Sequence, residues 1–128
     1  MYKLALALPF AAFSCADETI SGYADRSAVY QLSDIGGVPY KARATITFPE
    51  EGRATGEGPC NAWNAMQSAP YPWIDLGPIA ATKRACPELG QEAVFFEALA
   101  KATLAEIQGN ILILTDEDGR EMTFVSVP

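Results

Sequence analysis

From about residue 27 onward, apolar and polar side chains alternate in short runs separated by Gly, Pro, Asn and Asp, the period-two signature of antiparallel strands. Ser27 to Leu32 is the first such run, and Gly36-Gly37 then turns the chain. Arg43 to Phe48 is rich in β-branched residues and stops at Pro49, and Glu51-Gly52 makes a hairpin tip before a pairing segment from Arg53 to Glu57. Cys60 to Gln67 and Pro72 to Leu76 carry weaker strand patterns, the second placed at an edge by its leading proline. Ile111 to Thr115 and Glu121 to Val127 are strongly patterned and joined by Asp116-Glu117-Asp118-Gly119, whose Asp-Gly pair marks a tight hairpin. Leu104 to Gln108 pairs with the Ile111 strand across Gly109-Asn110.

The pattern changes between Pro87 and Thr103. Alanine is abundant there, and Leu89, Ala93, Phe96, Leu99 and Ala100 recur at helical spacing. Pro87 suits a first helical position, and Glu88 sits where the helix dipole favours an acid. Phe96 and Leu99 are expected to pack onto the strands. The fold class is therefore α+β and β-rich: an antiparallel sheet or partly open barrel of about seven or eight short strands, with one helix over about residues 87–103 packed on it.

The first residues read as an address. Met1-Tyr2-Lys3 carries one positive charge, and Leu4 to Phe13 is an uncharged apolar run too short to span a bilayer. It ends at Ala12-Phe13-Ser14-Cys15, where a small residue before a cysteine resembles the lipobox of bacterial lipoproteins, in which that cysteine is lipidated. The bacterial pattern usually has Leu at the place of Ala12 and a small residue at the place of Phe13. The expected organisation is a lipoprotein-type signal peptide at 1–14, lipidation at Cys15, a flexible polar tether over 15–26 and a folded domain over 27–128. Simple cleavage near Ser14, giving a secreted protein, is the alternative. Either way the product is exported; in the first case it is periplasmic and held to a membrane only through its N-terminal lipid.

Composition narrows the function classes. The 128 residues are 49% hydrophobic and 20% charged, enough for one core. Sixteen acidic against nine basic residues give a net charge of -7, and removing residues 1–14 takes away only Lys3, leaving one positive charge fewer, -8. Basic residues are scattered apart from Lys83-Arg84, so nucleic acid is not an expected partner. The chain has no histidine, which removes Ser-His-Asp triads, histidine general bases and histidine metal sites. No cofactor and no metal are expected.

With Cys15 consumed at the N-terminus, Cys60 and Cys86 form an even pair whose natural fate in an exported chain is each other. Closing a loop of about 25 residues would contribute roughly 3 to 4 kcal/mol. A buried free pair and a reactive thiol at Cys86, activated by a helix N-terminus, are the alternatives.

The same residues carry a family resemblance. Gly58-Pro59-Cys60-Asn61-Ala62-Trp63-Asn64, followed by Gly77-Pro78-Ile79-Ala80-Ala81-Thr82-Lys83-Arg84-Ala85-Cys86-Pro87-Glu88 and a Phe-bearing helix, resembles the META/HslJ-like family. The similarity runs from about Ala28 onward and includes Val29 to Gly37, Ile46-Thr47-Phe48, Leu112, Leu114 and Asp118-Gly119. The motif residues are Cys60, Asn61, Gly77, Pro78, Ile79, Thr82, Cys86 and Pro87. Family members generally have glycine where this chain has Asn64, an aromatic where it has Gln67, and tryptophan where it has Tyr30. The resemblance implies a single β-rich domain with a packed helix and paired cysteines, often exported or lipidated and associated with envelope stress, motility, virulence or drug tolerance, and it brings no enzymatic activity.

Three readings of function follow. The first is a non-catalytic envelope module, expected to be monomeric, that binds an unidentified protein, peptide or cell-wall ligand or buffers envelope stress; Trp63, Tyr71 and Trp73 are its candidate binding face. The second is a carrier with a small hydrophobic ligand inside the sheet, in a cavity lined by Trp63, Trp73 or Phe96. The third is a thiol enzyme using Cys86. Asp116 to Asp118 lacks the later glutamate of a calcium loop and reads as a hairpin tip, and Glu50, Glu51 and Glu57 read as solvated charges.

Overall fold

A computed structural model describes residues 16–127; the expected leader, and Cys15, lie outside them. Among the described residues nine strands form two antiparallel sheets with one α-helix. The larger sheet contains β1 (Val29–Ile35), β2 (Val38–Pro39), β3 (Thr45–Ile46), β7 (Ala102–Gln108), β8 (Ile111–Asp116) and β9 (Glu121–Val127). Its order is β2-β1-β9-β8-β7, with β3 also paired to β1. The smaller sheet is β4 (Arg53–Glu57), β5 (Ala62–Met66) and β6 (Ala80–Ala81), and helix α1 spans Leu89–Lys101. The sheets stay open rather than closing into a barrel.

The alternation read in the sequence is the burial pattern seen, with two informative phase changes. Along β1, Tyr30 and Leu32 face the core, and a register shift between Leu32 and Asp34 brings Ile35 inward instead of Asp34. Along β7 a similar shift between Ala102 and Leu104 buries Ala102 and Ala105 and turns Leu104 outward. A one-residue shift exchanges the two faces of a strand, so these irregularities decide which side chains reach water. Leu112 and Leu114 of β8 and Met122 and Phe124 of β9 complete the apolar layer.

The short β3 lies between the sheets. It pairs with β1 at Tyr30↔Ile46, and Thr47 bridges to Thr55 of β4. A Cβ on Gly56 would stand 2.0 Å from the Thr45 carbonyl oxygen and 2.9 Å from the Trp63 indole nitrogen, so only glycine lets the strands approach this closely. The Trp63 Nε1–H donates to that same Thr45 oxygen at 3.2 Å.

Three expectations are corrected. Pro72 to Leu76 is not a strand; it makes single bridges, Trp73↔Leu104 and Gln67↔Leu76, because prolines at 70, 72 and 78 deny it a continuous ladder. The helix ends at Lys101, where Ala102 turns extended and runs directly into β7. Its buried face is Glu92, Phe95 and Leu99, while Leu89, Ala93 and Ala100 are exposed and Phe96 is half-buried. Leu99 was legible from spacing; a buried glutamate was not, since the apolar pattern contains no place for it.

The tether is the third. Residues 16–26 pack onto the domain: Ile20 is 1% exposed within a 3-10 turn spanning Ile20–Gly22, and Thr19 bridges Pro70. The Asp17 carboxylate accepts from the Thr19 N–H and hydroxyl, from Ser21 and from Arg26. Polarity that reads as solvation in the sequence is therefore a local hydrogen-bonded cap over an apolar anchor.

Candidate functional site

The paired cysteines lie where β5 begins and the helix starts. Cys60 and Cys86 are bridged, with Cα atoms 5.6 Å apart. Beside the bridge the motif residue Asn61 is 5% exposed and every polar atom of its side chain is used. Its Oδ1 accepts from the Thr82 hydroxyl at 2.8 Å and the Arg84 N–H at 2.6 Å, and its Nδ2 donates to the Arg84 carbonyl and to Glu92 Oε1. Asn61 thus ties the segment before the helix to the edge of β5.

Glu92 completes the arrangement from one turn inside α1. Its carboxylate, 3% exposed, accepts the backbone N–H groups of Cys60 at 2.9 Å and Asn61 at 2.8 Å on Oε2, and the Asn61 amide at 2.7 Å on Oε1. Charge-assisted bonds to backbone donors are the kind that make a buried carboxylate tolerable. Gly58 lies against it, since a Cβ there would meet Glu92 Oε2 at 2.6 Å. Tyr40 donates its hydroxyl to the Gln91 carbonyl, and its phenol is pushed up to about 12 by burial and then by the charge of Glu92.

Cys60, Asn61, Thr82 and Cys86 are legible in the sequence, and Glu92 is not. The one available signal was its place a turn beyond Cys86-Pro87, where an acid on an otherwise apolar helix face marks either a surface or a satisfied interior position. Pro87 stands exposed just before the helix, Ile79 packs half-buried against the core, and Gly77 and Pro78 lead into β6, where the Gly77 N–H donates to the Met66 carbonyl.

The expected aromatic face is not one face. Trp63 is in the core, edge-on to Phe95 and Phe96 at 6.1 and 6.4 Å, because β5 points its odd residues inward. Tyr71 is half-buried, stacks on Tyr23 at 4.4 Å and accepts the Ile107 N–H at its hydroxyl. Trp73 is 55% exposed. The expected ligand chamber between the sheets is likewise occupied: Tyr30, Phe48, Phe95, Leu112, Leu114 and Phe124 fill that space with almost no exposure. Grooves of about 300 and 450 Å³ that include Trp63 run along exposed residues of β4 to β6. A more apolar groove of about 500 Å³ lies between the turn after β1 and the first turn of α1, lined by Val38, Tyr40, Pro87, Val94 and others.

Two further candidates resolve into ordinary structure. Asp116 Oδ1 accepts from the N–H groups of Asp118 and Arg120, an Asx-type cap of the hairpin, and among the described residues no group of acids or cysteines is placed to hold a metal ion. Glu50 and Glu57 pair loosely with Arg53 and Arg43 at the surface.

The META domain sequence model matches residues 26–128, which contain the whole bridge and its polar cluster. The chain belongs to the META domain family. No curated protein matches it. Among solved structures, this META domain is similar to a protein from Burkholderia xenovorans solved by NMR, with a TM-score of 0.64 and 21% identity over 97% of this chain and 93% of that one. It is also similar to a DUF4847 family protein from Bacteroides vulgatus, with a TM-score of 0.64 and 16% identity over 78% of this chain and 92% of the other. At these identities the likeness is one of fold.

Two departures from the family pattern have clear consequences. Asn64 lies inside β5, paired with Thr55 and Ala80, so it needs no left-handed bend. Gln67, 1% exposed, replaces an aromatic contact with hydrogen bonds: its Oε1 accepts the Asp75 N–H at 2.7 Å and its Nε2 donates to the Ala69 carbonyl.

Proposed function

We propose that this META domain is a non-catalytic module of the bacterial envelope, exported, lipid-anchored through Cys15, and acting by binding a protein, peptide or cell-wall component. The observation that carries the reading is the Cys60–Cys86 bridge, a bond that persists in oxidising compartments and leaves neither sulfur free as a nucleophile. Its surroundings support the same view, because Asn61, Thr82 and Glu92, the polar groups concentrated at the family motif, are spent on one another and on backbone. The apolar groove beside Tyr40 and Val94 supplies a concave surface of the size that small ligands and side chains occupy.

The test is made in the host. Wild-type protein should fractionate with membranes and the Cys15→Ala variant should leave them, and deletion of the gene should change envelope integrity or stress survival. A wild-type chain found among the soluble cytoplasmic proteins, or a deletion that leaves both traits untouched, contradicts the proposal.

A further inference from the structure

Because residues 16–26 are packed rather than free, an anchor at Cys15 would not lift the domain away from a bilayer; it would choose which face meets it. Thr19 is four residues beyond Cys15 and is bridged to Pro70. A fully extended chain of that length reaches no more than about 14 Å. This is close to the radius of gyration of a domain this size, about 13 Å, so the domain cannot swing clear of the surface.

The face around Thr19 and Pro70 has the chemistry of a membrane interface. Tyr23 is 56% exposed and stacks on Tyr71, Pro70 and Pro72 are exposed, and Trp73 follows at 55% exposure. Trp73 is bridged directly to Leu104, the β7 residue that the register shift turns outward, and bridge partners project to the same side. None of these side chains carries a charge; the exposed acids Glu18, Asp75 and Glu106 border them, at the rim where headgroups and water meet. Exposed Trp and Tyr beside aliphatic residues prefer the headgroup boundary, where an apolar ring and a polar tip are both satisfied. Among the described residues no helix is long and apolar enough to cross a membrane.

We infer that the Tyr23–Tyr71–Trp73–Leu104 face rests in the interfacial layer of the bilayer in which Cys15 is anchored. The inference rests on the lipid-anchor reading above. The acyl groups at Cys15 hold the chain at the surface, and an aromatic contact beside them supplies a second point of attachment that sets which face lies down. The anchored form, having lost Lys3 from a chain of net charge -7, is more acidic still, so charge does not draw it to the bilayer and the contact is apolar in origin.

The experiment uses the mature protein, acylated in its host, purified and reconstituted into phosphatidylcholine vesicles whose acyl chains are brominated near the headgroup. Trp63, buried in the core, and Trp73 are the two tryptophans, and Trp73→Phe is the control that reads Trp63 alone. The bromolipid should quench wild-type emission by about half and leave Trp73→Phe unchanged, as expected of one interfacial and one internal ring. Tyr23→Ser should weaken the quenching without altering far-ultraviolet circular dichroism. Acylated protein whose Trp73 is quenched by aqueous iodide and not by bromolipid overturns this inference while leaving the anchor intact. Protein whose mass shows no acyl group at Cys15 overturns both.

Discussion

The two carboxylate oxygens of Glu92 divide Asn61 between them: Oε2 accepts its backbone N–H at 2.8 Å and Oε1 its side-chain amide at 2.7 Å. Through this pair the helix is fixed to the start of β5 independently of the disulfide beside it. Removing the acceptor strands the buried donors of Cys60 and Asn61. Glu92→Ala should therefore destabilise the oxidised domain by about 3 kcal/mol, and Glu92→Gln, which keeps one acceptor oxygen, by about half of that. Denaturant unfolding of the oxidised proteins reads both values; an Ala variant as stable as wild type would show that the cluster is incidental.

Gly58 and Gly90 provide a matched pair on either side of the same contact. A Cβ on Gly58 would press on Glu92 Oε2, whereas one on Gly90 meets nothing within 4 Å. Gly58→Ala is expected to cost about 1 to 3 kcal/mol. Gly90→Ala, in the first turn of α1, is expected to stabilise by up to about 1 kcal/mol, since alanine is the better helix former. Thermal melts of the two variants should move in opposite directions.

The bridge joins residues 26 apart in sequence. Its reduction, or the Cys60→Ser/Cys86→Ser double variant, should remove about 3 to 4 kcal/mol, a substantial share of a small domain's stability. The polar cluster should hold the fold together at low temperature all the same. Equal unfolding midpoints with and without reductant would mean the loop is constrained by the cluster alone.

Two titrations have opposite signs. Partial burial works against ionisation of Asp17, but hydrogen bonds from Ser21 and Thr19 and the charge of Arg26 outweigh it and hold the carboxyl below its ordinary value. Its contribution is present above pH 3.8, its unfolded value, and is lost as pH falls through the lower folded value. Tyr40, raised from 10.0 to about 12, contributes stability that is complete below pH 10 and lost as pH rises toward 12. Asp17→Asn should flatten the acid limb of stability against pH, and Tyr40→Phe the alkaline limb. Limbs unchanged in these variants would assign the losses to other groups.

Much of this was legible in the sequence where local chemistry acts alone. Arg53 to Glu57 and Glu121 to Val127 are strands at the boundaries read from alternation, and Gly36-Gly37 and Asp118-Gly119 turn the chain as their residue types require. What was hidden depends on partners distant in sequence. Ile20 reads as one apolar residue in a polar stretch until the core is there to receive it, and Glu92 reads as a surface acid until Cys60 and Asn61 bring their N–H groups to it. Trp63 and Trp73 are alike in composition, yet the parity of β5 puts one in the core while the bridge to Leu104 puts the other in solvent.

The central claim, an exported domain anchored at its N-terminus and clipped at its motif, is tested most directly by intact-mass and peptide mass spectrometry of protein extracted from its host without reductant. The account predicts a chain beginning at Cys15, carrying acyl groups there, with Cys60 and Cys86 recovered in one disulfide-linked peptide. A chain that retains residues 1–14, or free thiols at both Cys60 and Cys86, would contradict it.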